Sequence, residues 1–76
     1  MNLTVYLEGN EYIALCDLLK LAGLTDSGGQ AKAVIAAGKV GRNGITEIRK
    51  TAKIRGGEII SYQNTVLFVK DGYGEE

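Results

Sequence analysis

The stretch SGGQAKAVIAAGKVGRNG, Ser27 to Gly44, holds the residues best suited to chemistry. Glycine is a poor helix former, yet Gly28 and Gly29 stand where a helix begins. A helix start presents unpaired N–H groups and the positive end of the dipole, and so attracts phosphate. Two glycines leave no side chain in the way of such an approach. Lys32 adds a mobile charge one turn further on, and Lys39 and Arg42 follow on a strand. The latter two are three positions apart, so they share a face only with help from twist or a bulge. Lys20 precedes this stretch, and Arg49, Lys50, Lys53 and Arg55 follow it. The chemistry these types suggest is binding of a polyanion through its backbone: the cations contact phosphate, Gly28 and Gly29 permit close approach, and Asn43 shapes a turn and offers a sugar contact. Taken singly the same residues have plainer readings. Ser27 and Gln30 cap a helix, the glycines allow a tight entry, and lysines on helices are usually solvated. Their joint placement is what points to a ligand.

Bond-making chemistry finds no support, and neither a catalytic residue nor a cofactor is assigned. Histidine is absent, which removes the commonest general base and metal ligand. The one cysteine, Cys16, lies in an apolar run and reads as core; it cannot build a zinc site, and no metal site is expected. Asp17, Asp26 and Glu47 are scattered, without a paired-carboxylate pattern. A phosphate-binding Walker loop fails at two positions, because Val40 follows Gly38-Lys39 and Ala33 stands where its first glycine belongs. Tyr6, Tyr12, Tyr62, Phe68 and Tyr73 all lie outside the basic stretch, so no platform for stacking splayed bases is expected.

Charge organises the chain. The 76 residues carry nine basic and nine acidic side chains, so the chain lacks the net basicity usual for a nucleic-acid binder. Residues 20–55, however, hold eight basic residues against only Asp26 and Glu47, while residues 1–19 hold acids alone and residues 56–76 one lysine against four acids. One positive face is expected, with the acidic ends turned away from it.

The elements that must position these residues follow from spacing. LTVYL, residues 3–7, is β-prone. Leu15, Leu18, Leu19 and Ala22 mark a helix over 14–22 that Gly23 caps. Ser27 with Gln30 forms a capping-box pattern for a second helix, whose inner stripe is Ala31, Val34, Ile35 and Gly38, the last being its stop. Residues 39–42 and 45–48 form a hairpin around Asn43-Gly44. Residues 49–54 read as an irregular basic connection, and 58–62 with 65–70 as a second hairpin around Gln63-Asn64. The whole is a single α+β domain over 1–76: two short packed helices, then a small, mainly antiparallel sheet. DGYGEE, residues 71–76, is a polar tail expected to fray.

An apolar content of 45% with 24% charged residues is ordinary for a soluble globular domain. A small chain without a disulfide fits a reducing, cytoplasmic setting. MNLTVYLEGN lacks the basic start and apolar core of a secretory signal. No run approaches the roughly 20 apolar residues of a bilayer span, so no membrane partner is expected.

The order LLKLAGLTDSGGQAKAVIAAGKVGRNG, followed at a distance by KIRGGEII, resembles the RNA-binding domain of small-subunit ribosomal protein four, the alpha-L RNA-binding motif. Leu18 and Leu19, Ser27, Ala31 and Ile35, Gly38 with Val40, Asn43-Gly44, and Gly57-Glu58 with Ile60 carry the likeness over residues 13–62. The chain is also similar to a stand-alone bacterial subgroup in which this domain is nearly the whole protein. Many family members place an Arg directly after the helix-two Ser; here Gly28 occupies that position, as in the stand-alone subgroup, which removes a direct Arg contact. The resemblance implies two helices and a hairpin set against structured RNA, ribosomal or transfer RNA, in ribosome assembly or translation, with the ribosome or a translation-related protein as a further partner. The chain is expected to act as a monomer. The alternative from another class is an interaction module that docks its basic face on an acidic protein.

Overall fold

The computed structural model describes residues 1–74. Strand β1 (Asn2–Tyr6) leads through a turn to the two-residue strand β2 (Ile13–Ala14) and helix α1 (Leu15–Leu21). Helix α2 (Gly28–Ala36) follows, then β3 (Val40–Arg42), β4 (Ile45–Thr46), β5 (Lys53–Ile54), β6 (Ile59–Tyr62) and β7 (Thr65–Lys70). Five strands form one sheet in the order β1-β7-β6-β3-β4, and β2 pairs with β5 as a separate antiparallel ribbon. All neighbours in the large sheet are antiparallel except β1 and β7, which run parallel.

Both helices end as their glycines predict. Gly23 has φ +78°, the Gly23 amide donates to the Lys20 carbonyl, and the Leu24 amide donates to that of Leu19. Gly38 repeats the pattern with φ +78° and bonds from Gly38 to Ile35 and from Lys39 to Val34. These are Schellman ends, which satisfy last-turn carbonyls. At the start of α2 the Gln30 amide donates to Ser27 Oγ at 3.1 Å. Gln30 Oε1 accepts from the Asp26 amide, one residue before the position of a standard capping box. Helix α1 has no side-chain cap. Its first amides instead find carbonyls of a distant loop, Leu15 bonding to Ala52 at 2.9 Å and Cys16 to Lys50 at 3.0 Å.

The helix pair and the inner sheet face enclose one core. Leu15, Leu18, Leu19, Ile35, Ile54, Ile60 and Leu67 are fully buried, with Val40 and Val69 beside them. Cys16 is buried and free, as its apolar run suggested.

Asn43 (φ +52°) and Gly44 (φ +86°) make the β3–β4 turn with both central residues left-handed, the geometry of a type I′ turn. Two expectations change. The connection over 49–54 is not wholly irregular, because Lys53 and Ile54 pair with Ala14 and Ile13. Strand β4 stops at Thr46 rather than continuing to Ile48. In the polar tail, the Glu8 amide donates to the Gly72 carbonyl at 2.6 Å; the last two tail residues, Glu75 and Glu76, lie outside the described residues.

Candidate nucleic-acid interface

The loop between β4 and β5 leaves the edge of the large sheet and returns as the β2 partner. Residues 50–52 are tied to α1 by the two carbonyl bonds already described, and Lys53 and Ile54 by the ribbon pairing. Arg42, Arg49, Thr51, Ala52, Lys53 and Arg55 line one open depression. Arg49, Lys50, Lys53 and Arg55 are exposed. The β2–β5 pairing carries Tyr12, 40% exposed, into this region. Lys53 Nζ lies 5.1 Å and Arg55 Cζ 5.7 Å from the centre of its ring, within cation–π range. An aromatic residue thus stands among the basic side chains after all. It comes from the acidic N-terminal segment, through a strand pair too short to show in the pattern of residues.

Arg42 lies in a different environment from the other cations. Its side chain is 22% exposed. Nε donates to Glu58 Oε1 at 2.6 Å, Nη2 donates to Glu58 Oε2 at 3.1 Å and to the Lys53 carbonyl at 2.9 Å, and Nη1 donates to Glu47 Oε1 at 3.1 Å. Four of the five guanidinium hydrogens are thereby engaged within the chain. Glu47 is buried and also accepts from the Arg49 amide, Nε and Nη2. Glu58 further accepts from the Arg55 amide at 2.7 Å and from Asn43 Nδ2 at 3.1 Å. The basic stretch therefore does have compensating acids. Glu47, read as a scattered carboxylate, and Glu58, assigned to an acidic end turned elsewhere, converge on one guanidinium.

These contacts set the titration of both acids. The Arg49 guanidinium holds Glu47 well below its ordinary 4.5, down to about 2, helped by the Arg49 amide and Arg42 and opposed by burial. Arg42 foremost, with the Arg55 amide and Asn43, likewise lowers Glu58 against its own desolvation. Arg42 binds its proton more tightly, chiefly through Glu58.

The remaining expected site residues are dispersed. Lys20, in the last turn of α1, borders a second depression with Ile13, Asp17 and Leu21. Lys39 borders a third, between Gly38, the β3–β4 hairpin and residues 61–63, so Lys39 and Arg42 do not meet on one surface. Lys32 is exposed on α2. Ser27 caps that helix. Asn43 shapes its turn, and both ends of its side-chain amide face β6 and the segment before it: Oδ1 accepts from the Ile59 amide at 2.9 Å while Nδ2 reaches Glu58. At Gly28 and Gly29 neither backbone has positive φ. A Cβ built at Gly28 would meet nothing within 4 Å, and one at Gly29 only Ser27 Oγ at 3.9 Å. The fold itself therefore does not demand glycine at either position. Among the described residues no group of acids and Cys16 forms a metal-ligand cluster, and no helix is long and apolar enough to cross a membrane.

Two packed helices, a hairpin with a left-handed Asn-Gly turn and a basic loop braced on the first helix define a small α+β domain of the alpha-L type. A family model described as "S4 domain" matches residues 5–70, and the chain belongs to the S4 domain family. Its relatives include "Putative RNA-binding protein YbcJ" of Escherichia coli strain K12, 46% identical over 59 residues that make up 78% of this chain and 84% of that protein. A Shigella flexneri protein named "Uncharacterized protein YbcJ" aligns to the same extent. The solution structure of Escherichia coli YbcJ, described as revealing an alpha-L motif involved in RNA-binding, superposes with a TM-score of 0.70 at 42% identity, covering 88% of this chain and 85% of that one.

Proposed function

We propose that this chain is an RNA-binding protein that holds structured RNA through its basic surface without acting on it chemically. The observation that carries the reading is the convergence of exposed Arg49, Lys53 and Arg55 on one open depression beside Tyr12, in a member of a family whose relative YbcJ is named for RNA binding. Phosphates contribute most of the affinity at such a surface, and each contact releases counterions. Half-exposed Tyr12 offers a ring face to an unpaired base of a loop or bulge. Lys50 extends the surface; Lys20, Lys32 and Lys39 form an outer set of cations, with Gly28 and Gly29 leaving the α2 start open to a backbone. Ribosomal or transfer RNA, met in the cytoplasm during ribosome assembly or translation by a monomer of this chain, is the class of partner proposed.

Titration of a labelled stem-loop RNA, followed by fluorescence anisotropy at several salt concentrations, tests this. Log K should fall linearly with log salt, by about 0.7 to 0.9 per phosphate contacted. A wild-type protein that ignores RNA but co-purifies with an acidic protein would replace this reading with that of a protein-docking module.

A further inference from the structure

A phosphate-binding surface gains nothing by charge from carboxylates, yet Glu47 and Glu58 both hydrogen-bond into the 49–55 segment. They hold it at separate points. Glu47 Oε2 accepts from the Arg49 amide at 3.0 Å, and Glu58 Oε2 accepts from the Arg55 amide at 2.7 Å. Between these ends, Arg42 Nη2 donates to the Lys53 carbonyl at 2.9 Å. Arg42 in turn bridges the two acids. The backbones of Arg49, Lys53 and Arg55 are therefore each tied to one member of a three-residue frame: Arg42 on β3, Glu47 just after β4 and Glu58 just before β6.

We propose that Arg42, Glu47 and Glu58 are positioning residues for RNA recognition: they fix the 49–55 backbone so that Arg49, Lys53 and Arg55 meet phosphates in one register. The inference rests on the RNA-binding reading above. Its physical basis is preorganisation. A segment with few strand pairs would lose backbone freedom on binding, and a frame already in place removes that cost. Arg42 is suited to this task rather than to a ligand, because a planar fork can join two carboxylates and a carbonyl at once. Side-chain exposures of 22% for Arg42 and 16% for Glu58 keep these bonds out of full competition with water.

The frame and simple electrostatics predict opposite signs. Glu58→Gln removes a negative charge beside the basic depression, which by Coulomb attraction alone would tighten RNA binding. The frame predicts weaker binding instead, by about fivefold, through loss of charge-assisted bonds to Arg42 and the Arg55 amide. It also predicts a log K against log salt slope shallower by about one, since one phosphate contact falls out of register. A purely structural loss would reduce the binding-competent fraction and leave that slope unchanged. Arg42→Lys, which preserves charge but not the fork, should behave in the same way. In the wild-type protein free of RNA, the Arg49 and Arg55 amides should show slow hydrogen exchange by NMR; this readout needs no variant to fold. Tighter binding by Glu58→Gln, an unchanged slope in both variants, or free exchange of those two amides would overturn the frame. If wild type binds and Lys53→Glu with Arg55→Glu weakens it while Glu58→Gln does not, the frame alone fails. If wild type does not bind structured RNA, the RNA-binding reading fails and the frame with it.

Discussion

The start of α2 and the 49–55 loop are the two regions proposed to meet a polyanion, and they are built in opposite ways. The α2 start is made locally: Ser27 Oγ caps the amide three residues on, and Gln30 reaches back four. The loop is made at a distance. Arg42 reaches the Lys53 carbonyl 11 positions away and Glu58 16 positions away, and the Lys50 and Ala52 carbonyls cap helix α1, which lies far earlier in the sequence. A local device survives most changes elsewhere in the chain, whereas a long-range frame depends on several elements at once. The cations differ too. Arg49, Lys53 and Arg55 of the loop line one depression, while Lys32 stands on α2 and Lys39 borders another.

If binding follows this convergence, Lys53→Glu with Arg55→Glu should lower affinity for structured RNA by about 100-fold at moderate salt, as two phosphate contacts become repulsive. Lys32→Glu with Lys39→Glu should cost about tenfold or less. Parallel anisotropy titrations would check both, and a reversed ranking would transfer the main site to α2.

Acid should separate the regions next. Glu47 is held down to about 2 from an ordinary 4.5. The stability it contributes is full above about pH 4.5 and is lost as pH falls towards 2; Glu58, lowered in the same direction, adds to this. The α2 cap uses a hydroxyl and an amide, which do not titrate there. Thermal midpoints measured from pH 6 to pH 2 should fall below pH 4.5, and Glu47→Gln should flatten that fall.

Loss of the local cap is expected to be milder. Ser27→Ala should cost about 1 kcal/mol, a drop of roughly 5 °C in thermal midpoint for a domain of this size, with the salt slope of RNA binding unchanged. Gly28→Ala has the smallest expected effect on the fold and is the sharper test. Open space and an ordinary φ mean that alanine should stabilise by about 0.5 kcal/mol. Weaker RNA binding in that more stable variant would show that the glycine serves a ligand.

What the sequence made legible follows the same division. Both helices, their glycine ends, the Ser27 cap and the Asn43-Gly44 turn rest on neighbours within a few residues, and all are present. The β2–β5 ribbon was hidden, because two-residue strands carry no periodicity and Ile13 finds Ile54 only through tertiary folding. Tyr12 among the loop cations was hidden for the same reason. Glu47 and Glu58 looked dispersed because charge counted along the chain says nothing of which guanidinium two acids share. Arg42 shows the limit most plainly: by type it is a phosphate ligand, and by surroundings it joins two carboxylates and a carbonyl.

The most direct test of RNA recognition by the 49–55 surface is the salt-dependent affinity of wild type and Lys53→Glu/Arg55→Glu for one structured RNA. Wild type should bind with a steep log–log slope, and the variant should bind far more weakly with a slope shallower by about two. Equal affinities and equal slopes for the two proteins would contradict it.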